Sequence, residues 1–154
     1  MSSLGNFVWG IADQLRGVYK PHQYGNVILP MTILRRLDCL MAPSRDKMRA
    51  LADKHDNPNV LASLVRRQCG LGFYNTSEYD LARLVADPDG LAPNLIDYIS
   101  RFSPNIDVFE RFKFENEIAT LAEKNRLLLV VRQFAEVDLH PDTVPNAEMG
   151  DLFE

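Results

Sequence analysis

Two arginine pairs, Arg35–Arg36 and Arg66–Arg67, come nearest in this chain to a binding chemistry. A guanidinium is a planar fork of donors that meets phosphate or carboxylate through two parallel bonds. Two in succession on a helix suit a phosphate backbone or an acidic face of a partner subunit. Each pair also has a plainer use. Asp38 follows Arg35 by three positions, the spacing of a helical ion pair. Arg66–Arg67 close a predicted helix, where cations meet the negative end of the helix dipole.

Other chemistries find less support. Gly70–Leu71–Gly72 follows a predicted helix and lacks the third glycine and the lysine of a phosphate-cradling loop, so a helix C-cap is the better reading. Zinc needs three or four His or Cys ligands at short local spacings. His22, His55 and His140 lie far apart, and none pairs with a cysteine at ligand spacing. No serine sits in a GxSxG elbow. The carboxylates between Glu110 and Glu123 read as a solvated helix face paired with Arg111, Lys113 and Lys124. Trp9 beside Phe7, and Phe109, Phe112 and Phe114, are expected in the core rather than as base-stacking platforms. No catalytic, cofactor-binding or metal residue is expected.

A chain of 154 residues is one domain or a piece of a larger protein, and its 46% hydrophobic and 25% charged composition suits an ordinary globular core. Cys39 and Cys69 stand in helical contexts without CxxC spacing and read as reduced, buried thiols. The start, MSSLGNFVWGIADQ, lacks a cationic leader region, and the longest apolar run, Leu127 to Val131, falls far short of the roughly 20 residues that cross a bilayer. A cytoplasmic protein with no membrane contact is expected. The net charge of −4 conceals an asymmetry. Residues 1–70 carry ten Lys/Arg against five acids, whereas residues 71–154 carry seven against sixteen. The basic half can face phosphate, and the acidic half suits a cationic protein partner.

The elements that must position these residues are helices almost throughout. Ser3 is placed to cap a helix from Leu4 to Val18, with Phe7, Ile11 and Leu15 recurring every fourth residue. Tyr24 to Met41 is apolar on more than one stripe and is expected to be central, either kinked or split at Pro30. Shorter helices are predicted over Ser44–Lys54 and Asn59–Gln68. Ser77 and Asp80 suggest a capping box for a helix to Ala86, which Asp87–Pro88–Asp89–Gly90 ends. Another helix runs from Pro93 to Phe102, and Ser103–Pro104–Asn105 starts the next. Phe114, Ile118 and Leu121 form one seam; Leu127, Val130, Val131 and Phe134 form another. LLLVV, apolar on every side, marks an innermost helix. With no alternating strand pattern of length, the fold class is all-α: a single-domain, multi-helix bundle.

NFVWGIADQLRG (Asn6 to Gly17) and YGNVILPMTILRRLDCLM (Tyr24 to Met41) together resemble the opening of the M, or methyltransferase, subunit of type I restriction–modification enzymes. Phe102 to Asn105 and the block from Asn125 to Glu154, with its DLHPD and N-x-E-M-G-x-x-F-E elements, resemble the same family at its junction with the catalytic domain. Blocks in the right order at both ends are more specific than any one motif. The resemblance implies an N-terminal helical domain over residues 1–145, with residues 146–154 opening a linker helix capped by Asn146.

By that resemblance, the parent protein is a site-specific DNA adenine methyltransferase that uses S-adenosylmethionine to methylate adenine N6. Its chemistry resides in a Rossmann-like domain with a DPxxGxG cofactor loop and an NPP[FYW] loop that holds a flipped adenine. Asp87–Pro88–Asp89–Gly90 runs on without the final glycine, and Asn57–Pro58–Asn59 lacks the second proline and the aromatic residue. This chain is therefore not expected to be catalytic alone. Its implied partners are a DNA-specificity (S) subunit, a second M subunit, a restriction (R) subunit and double-stranded DNA in the assembled complex. Any DNA contact through Arg35, Arg36, Arg66 or Arg67 would be to the backbone, because no base-reading motif is present. The alternative is a free-standing all-α interaction module or a truncated regulator of a restriction system.

Overall fold

The computed structural model describes residues 3–140, and side-chain burial from Asn6 to His140. The expected linker helix at 146–154 and its Asn146 cap lie outside the described residues. Among the described residues the chain is all-α, with isolated bridges at Arg16–Tyr19 and Asn75–Phe102 and no strand. The helices are α1 (Ser3–Leu15), α2 (Gly25–Met41), α3 (Arg45–Lys54), α4 (Pro58–Cys69) and α5 (Leu81–Val85). They are followed by α6 (Leu91–Ser100), α7 (Val108–Arg111), α8 (Phe114–Glu123) and α9 (Leu127–Glu136).

Helix α9 is the hub and packs against α1, α2, α5, α6 and α8. Its Leu127, Val130, Val131 and Phe134 are all buried, as are Phe114, Ile118 and Leu121 of the α8 seam. The expectation of an apolar helix enclosed on every side needs correction at Leu129, which is 39% exposed. Arg132 and Glu136 are exposed too, so α9 keeps one solvent face.

Helix α1 buries Ile11 and Leu15, and sets Phe7 edge-on to Phe134 at 4.9 Å. Trp9 is 62% exposed, contrary to its expected place in the core. Two residues along a helix is about 200°, so a side chain two positions from both Phe7 and Ile11 points away from their stripe. Phe112 is also exposed, at 37%, in the turn between α7 and α8, whereas Phe109 and Phe114 are buried as expected. Ser3 already lies within α1 rather than ahead of it, and the helix ends three residues short of Val18. Gly17 there adopts a φ of +88°, which glycine reaches without steric cost.

Helix α2 runs unbroken through Pro30. The backbone bond lost at proline would have gone to the carbonyl of Asn26, a residue exposed to solvent, so water can satisfy it. Helix α4 starts on Pro58, with the Asn57 side chain accepting from the amides of Asn59 and Val60. It ends on the left-handed Gly70, which confirms the C-cap reading. The expected capping box at α5 resolves differently. Asp80 alone caps the helix through the Arg83 amide, while Ser77 is buried and accepts from the Tyr79 amide.

Candidate subunit and nucleic-acid contact residues

Asp38 gathers three helices. It lies on the buried side of α2, and its Oδ1 accepts from Arg45 at 2.6 Å and from the Tyr98 hydroxyl at 2.7 Å. Its Oδ2 accepts from Arg35 at 2.8 Å. Arg45 reaches inward because it shares the face of α3 that buries Met48 and Leu51. It also donates to the Tyr79 carbonyl at 3.0 Å and lies over the Tyr98 ring. Tyr98 falls on the α6 stripe of Leu91, Leu95 and Ile99, which carries its ring into the core and its hydroxyl to the carboxylate.

Burial pushes the Tyr98 phenol well above its ordinary range, and the neighbouring Asp38 charge pushes the same way. Burial works against the Arg45 charge, yet Tyr98 and Asp38 hold its proton more tightly than usual. A carboxylate so surrounded is fully hydrogen-bonded, which is the condition under which a buried charge is tolerated.

Arg35 therefore makes the i,i+3 ion pair its spacing suggests, and more. Its Nε donates to the Val137 carbonyl at 2.8 Å. Arg36 donates to the Leu139 carbonyl at 3.2 Å. The pair fastens the segment that leaves α9 along α2, and Leu139 is itself buried in the core. Arg66 and Arg67 are used differently. Both are exposed in the last turn of α4 and bond to no other described side chain or carbonyl. Of the four candidate contact residues, these two keep their guanidinium forks available for an outside partner.

The two short motifs that imitate methyltransferase loops are both helix caps. Asn57 of Asn57–Pro58–Asn59 spends its side-chain oxygen on the start of α4. Asp87 of Asp87–Pro88–Asp89–Gly90 accepts from the Gly90 amide at 3.3 Å and from Asn94 at 3.1 Å. A Cβ built on Gly90 would come within 2.6 Å of the Asp87 carboxylate, so the glycine serves this turn. The Asp87 carboxylate and the Gly90 amide are thus engaged with each other, and the turn serves as a cap. Among the described residues no group of three or more His, Cys, Asp or Glu could hold a metal ion. No described helix is long and apolar enough to cross a membrane, and Cys39 and Cys69 are unpaired and half-buried.

Residues 4–134 match the family described as the HsdM N-terminal domain. The chain belongs to that family. No curated protein and no solved structure matches the chain. The assignment agrees with the N-terminal domain of a type I restriction–modification M subunit expected from the sequence, and with its all-α fold.

In this HsdM N-terminal domain, sequence reasoning overlooked Arg45 and Tyr98. Their signals were register alone: Arg45 stands three positions before Met48, and Tyr98 three after Leu95. The carboxylates between Glu110 and Glu123 read mostly as a solvated face paired with Arg111, Lys113 and Lys124, and Glu117 departs from that pattern. Glu117 is half-buried and accepts from Tyr19 at 3.4 Å. Burial, and then the Glu117 charge, push the Tyr19 phenol up to about 12.

Proposed function

We propose that this HsdM N-terminal domain is the non-catalytic part of a type I DNA adenine methyltransferase, supporting subunit assembly and the enclosure of DNA. S-adenosylmethionine binding and methyl transfer to adenine N6 would belong to a Rossmann-like domain of the parent M subunit. The partners in this reading are the S subunit, a second M subunit, the R subunit and double-stranded DNA, in the cytoplasm. The observation that carries it is the family match across residues 4–134.

The residues support a division of labour within the domain. Arg35 and Arg36 hold the chain's own backbone, whereas the exposed Arg66 and Arg67 have the geometry for phosphate contacts. Charge reversal of Arg66 and Arg67 in the complete enzyme tests the DNA role. Affinity is expected to fall alike on all sequences, and the salt dependence to flatten by about 0.9 in log–log slope per lost phosphate contact. An unchanged affinity and slope would remove these arginines from the DNA surface.

A further inference from the structure

A groove of about 760 Å³ opens between the end of α6, the 101–107 loop, α7 and the first turn of α8. Its size falls within the roughly 300–1,000 Å³ of ligand-binding clefts. Its lining mixes polar and apolar groups: Ile99, Phe102, Phe109 and Phe114 lie buried beneath it, and the half-buried Ile96 and Ile106 border it. The rim is acidic. Asp107, Glu110 and Glu115 line it against a single cation, Lys113, and all four are exposed.

The floor is held rigid from behind. Tyr98 and Phe102 lie 5.4 Å apart, Phe102 stacks on Phe109 at 5.6 Å, and Phe109 meets Phe114 at 6.3 Å. That aromatic ladder ends on Tyr98, whose hydroxyl is tied to Asp38. A groove whose walls are fixed before binding loses little conformational entropy when it is filled.

We propose that this groove docks a segment of a partner protein in which a large apolar side chain is flanked by lysine or arginine. The apolar anchor would enter between Ile106 and Phe109, and the flanking cations would lie against the carboxylates on the rim. A neutral apolar ligand would leave the Glu110 and Glu115 carboxylates idle, while Asp107 already meets Arg111 at 3.9 Å. An anionic partner such as DNA would meet the wrong sign. The excess of acids in residues 71–154 extends the same preference beyond the groove. This proposal rests on the assembly role for the source of the partner, but its test is made on the chain alone. Failure here would leave assembly of the complete enzyme to its own measurement.

The probe is a fluorescein-labelled peptide of lysines and alanines carrying two leucines four positions apart, titrated by anisotropy. Control peptides replace lysine by glutamate or leucine by serine. Glu110→Lys/Glu115→Lys, at exposed positions, is compared with Glu123→Lys, an exposed acid outside the groove. The lysine–leucine peptide is expected to bind wild type, to lose about tenfold or more with the groove variant, and to be unaffected by Glu123→Lys. Both control peptides are expected to bind at least about tenfold more weakly. The proposal is overturned if the basic peptide does not bind, if either control peptide binds as well, or if Glu123→Lys weakens binding as much as the groove variant. Self-association of the chain through the groove would overturn it as well.

Discussion

Asp38 and Arg45 meet at 2.6 Å across the turn between α2 and α3, and both are almost completely buried. Seven positions apart in sequence, they join α2 to the α3–α4 pair that carries Arg66 and Arg67. Tyr98 closes the arrangement from α6, so one carboxylate fixes three elements against one another.

Replacing Asp38 with alanine would leave the Arg45 charge buried without its counter-ion. The expected cost is about 3–5 kcal/mol, measured as a loss of unfolding free energy in urea. Tyr98→Phe removes one donor and leaves both arginines on the carboxylate, so it should cost only about 1 kcal/mol. Equal costs for the two variants would contradict the central place given to Asp38.

Alkaline pH should loosen the fold. Tyr98, Tyr19 and Tyr74 all hold their protons more tightly in the folded chain than the ordinary value of 10.0, chiefly because burial disfavours the phenolate. Above pH 10 the unfolded chain gives up these protons while the folded chain retains them. Stability is therefore full below about pH 10 and falls as pH rises towards 12 and beyond, the Tyr19 value being about 12. Melting temperatures followed from pH 8 to 12, beside phenolate absorbance, check this. A flat profile above pH 10 would contradict it.

Arg35→Ala and Arg36→Ala should act on the chain's own exit segment. Hydrogen exchange at residues 137–140 is expected to rise, while the interior of α9 stays protected. The combined loss of the two guanidinium–carbonyl bonds and of the Arg35–Asp38 pair should cost about 2–5 kcal/mol. Unchanged exchange at 137–140 would return these arginines to a role outside the fold.

Much of this architecture was legible from periodicity. The seams in α8 and α9, the Gly70 cap and the Arg35–Asp38 pair all follow from local spacing, which sequence reports directly. Arg45 and Tyr98 were not, because their partners lie 7 and 60 positions from them and are chosen by tertiary packing. Trp9 was misplaced by its company: hydrophobic neighbours suggested core, but its angular position on α1 turns it outward. The acidic groove was invisible for the same reason. Its floor and rim come from alternating residues of four short elements, and only folding separates them into two layers.

Lys113 enters α8 with a φ of +52°, in the left-handed region that disfavours residues with a side chain. Lys113→Gly is expected to keep stability within about 0.5 kcal/mol of wild type or raise it. Lys113→Val, branched at Cβ, should cost more than about 1 kcal/mol. Thermal melts of the two variants distinguish them, and a more stable valine variant would contradict the strained entry to α8.

The most direct measurement compares the complete M subunit with a form lacking residues 1–140, each mixed with the S subunit. S-adenosylmethionine binding, subunit stoichiometry and DNA affinity are read for both. The shortened subunit is expected to retain S-adenosylmethionine binding while losing stable assembly and DNA affinity, and the isolated chain to transfer no methyl group. A shortened subunit that assembles and binds DNA as the complete one does, or methyl transfer by the isolated chain, would contradict the proposed function.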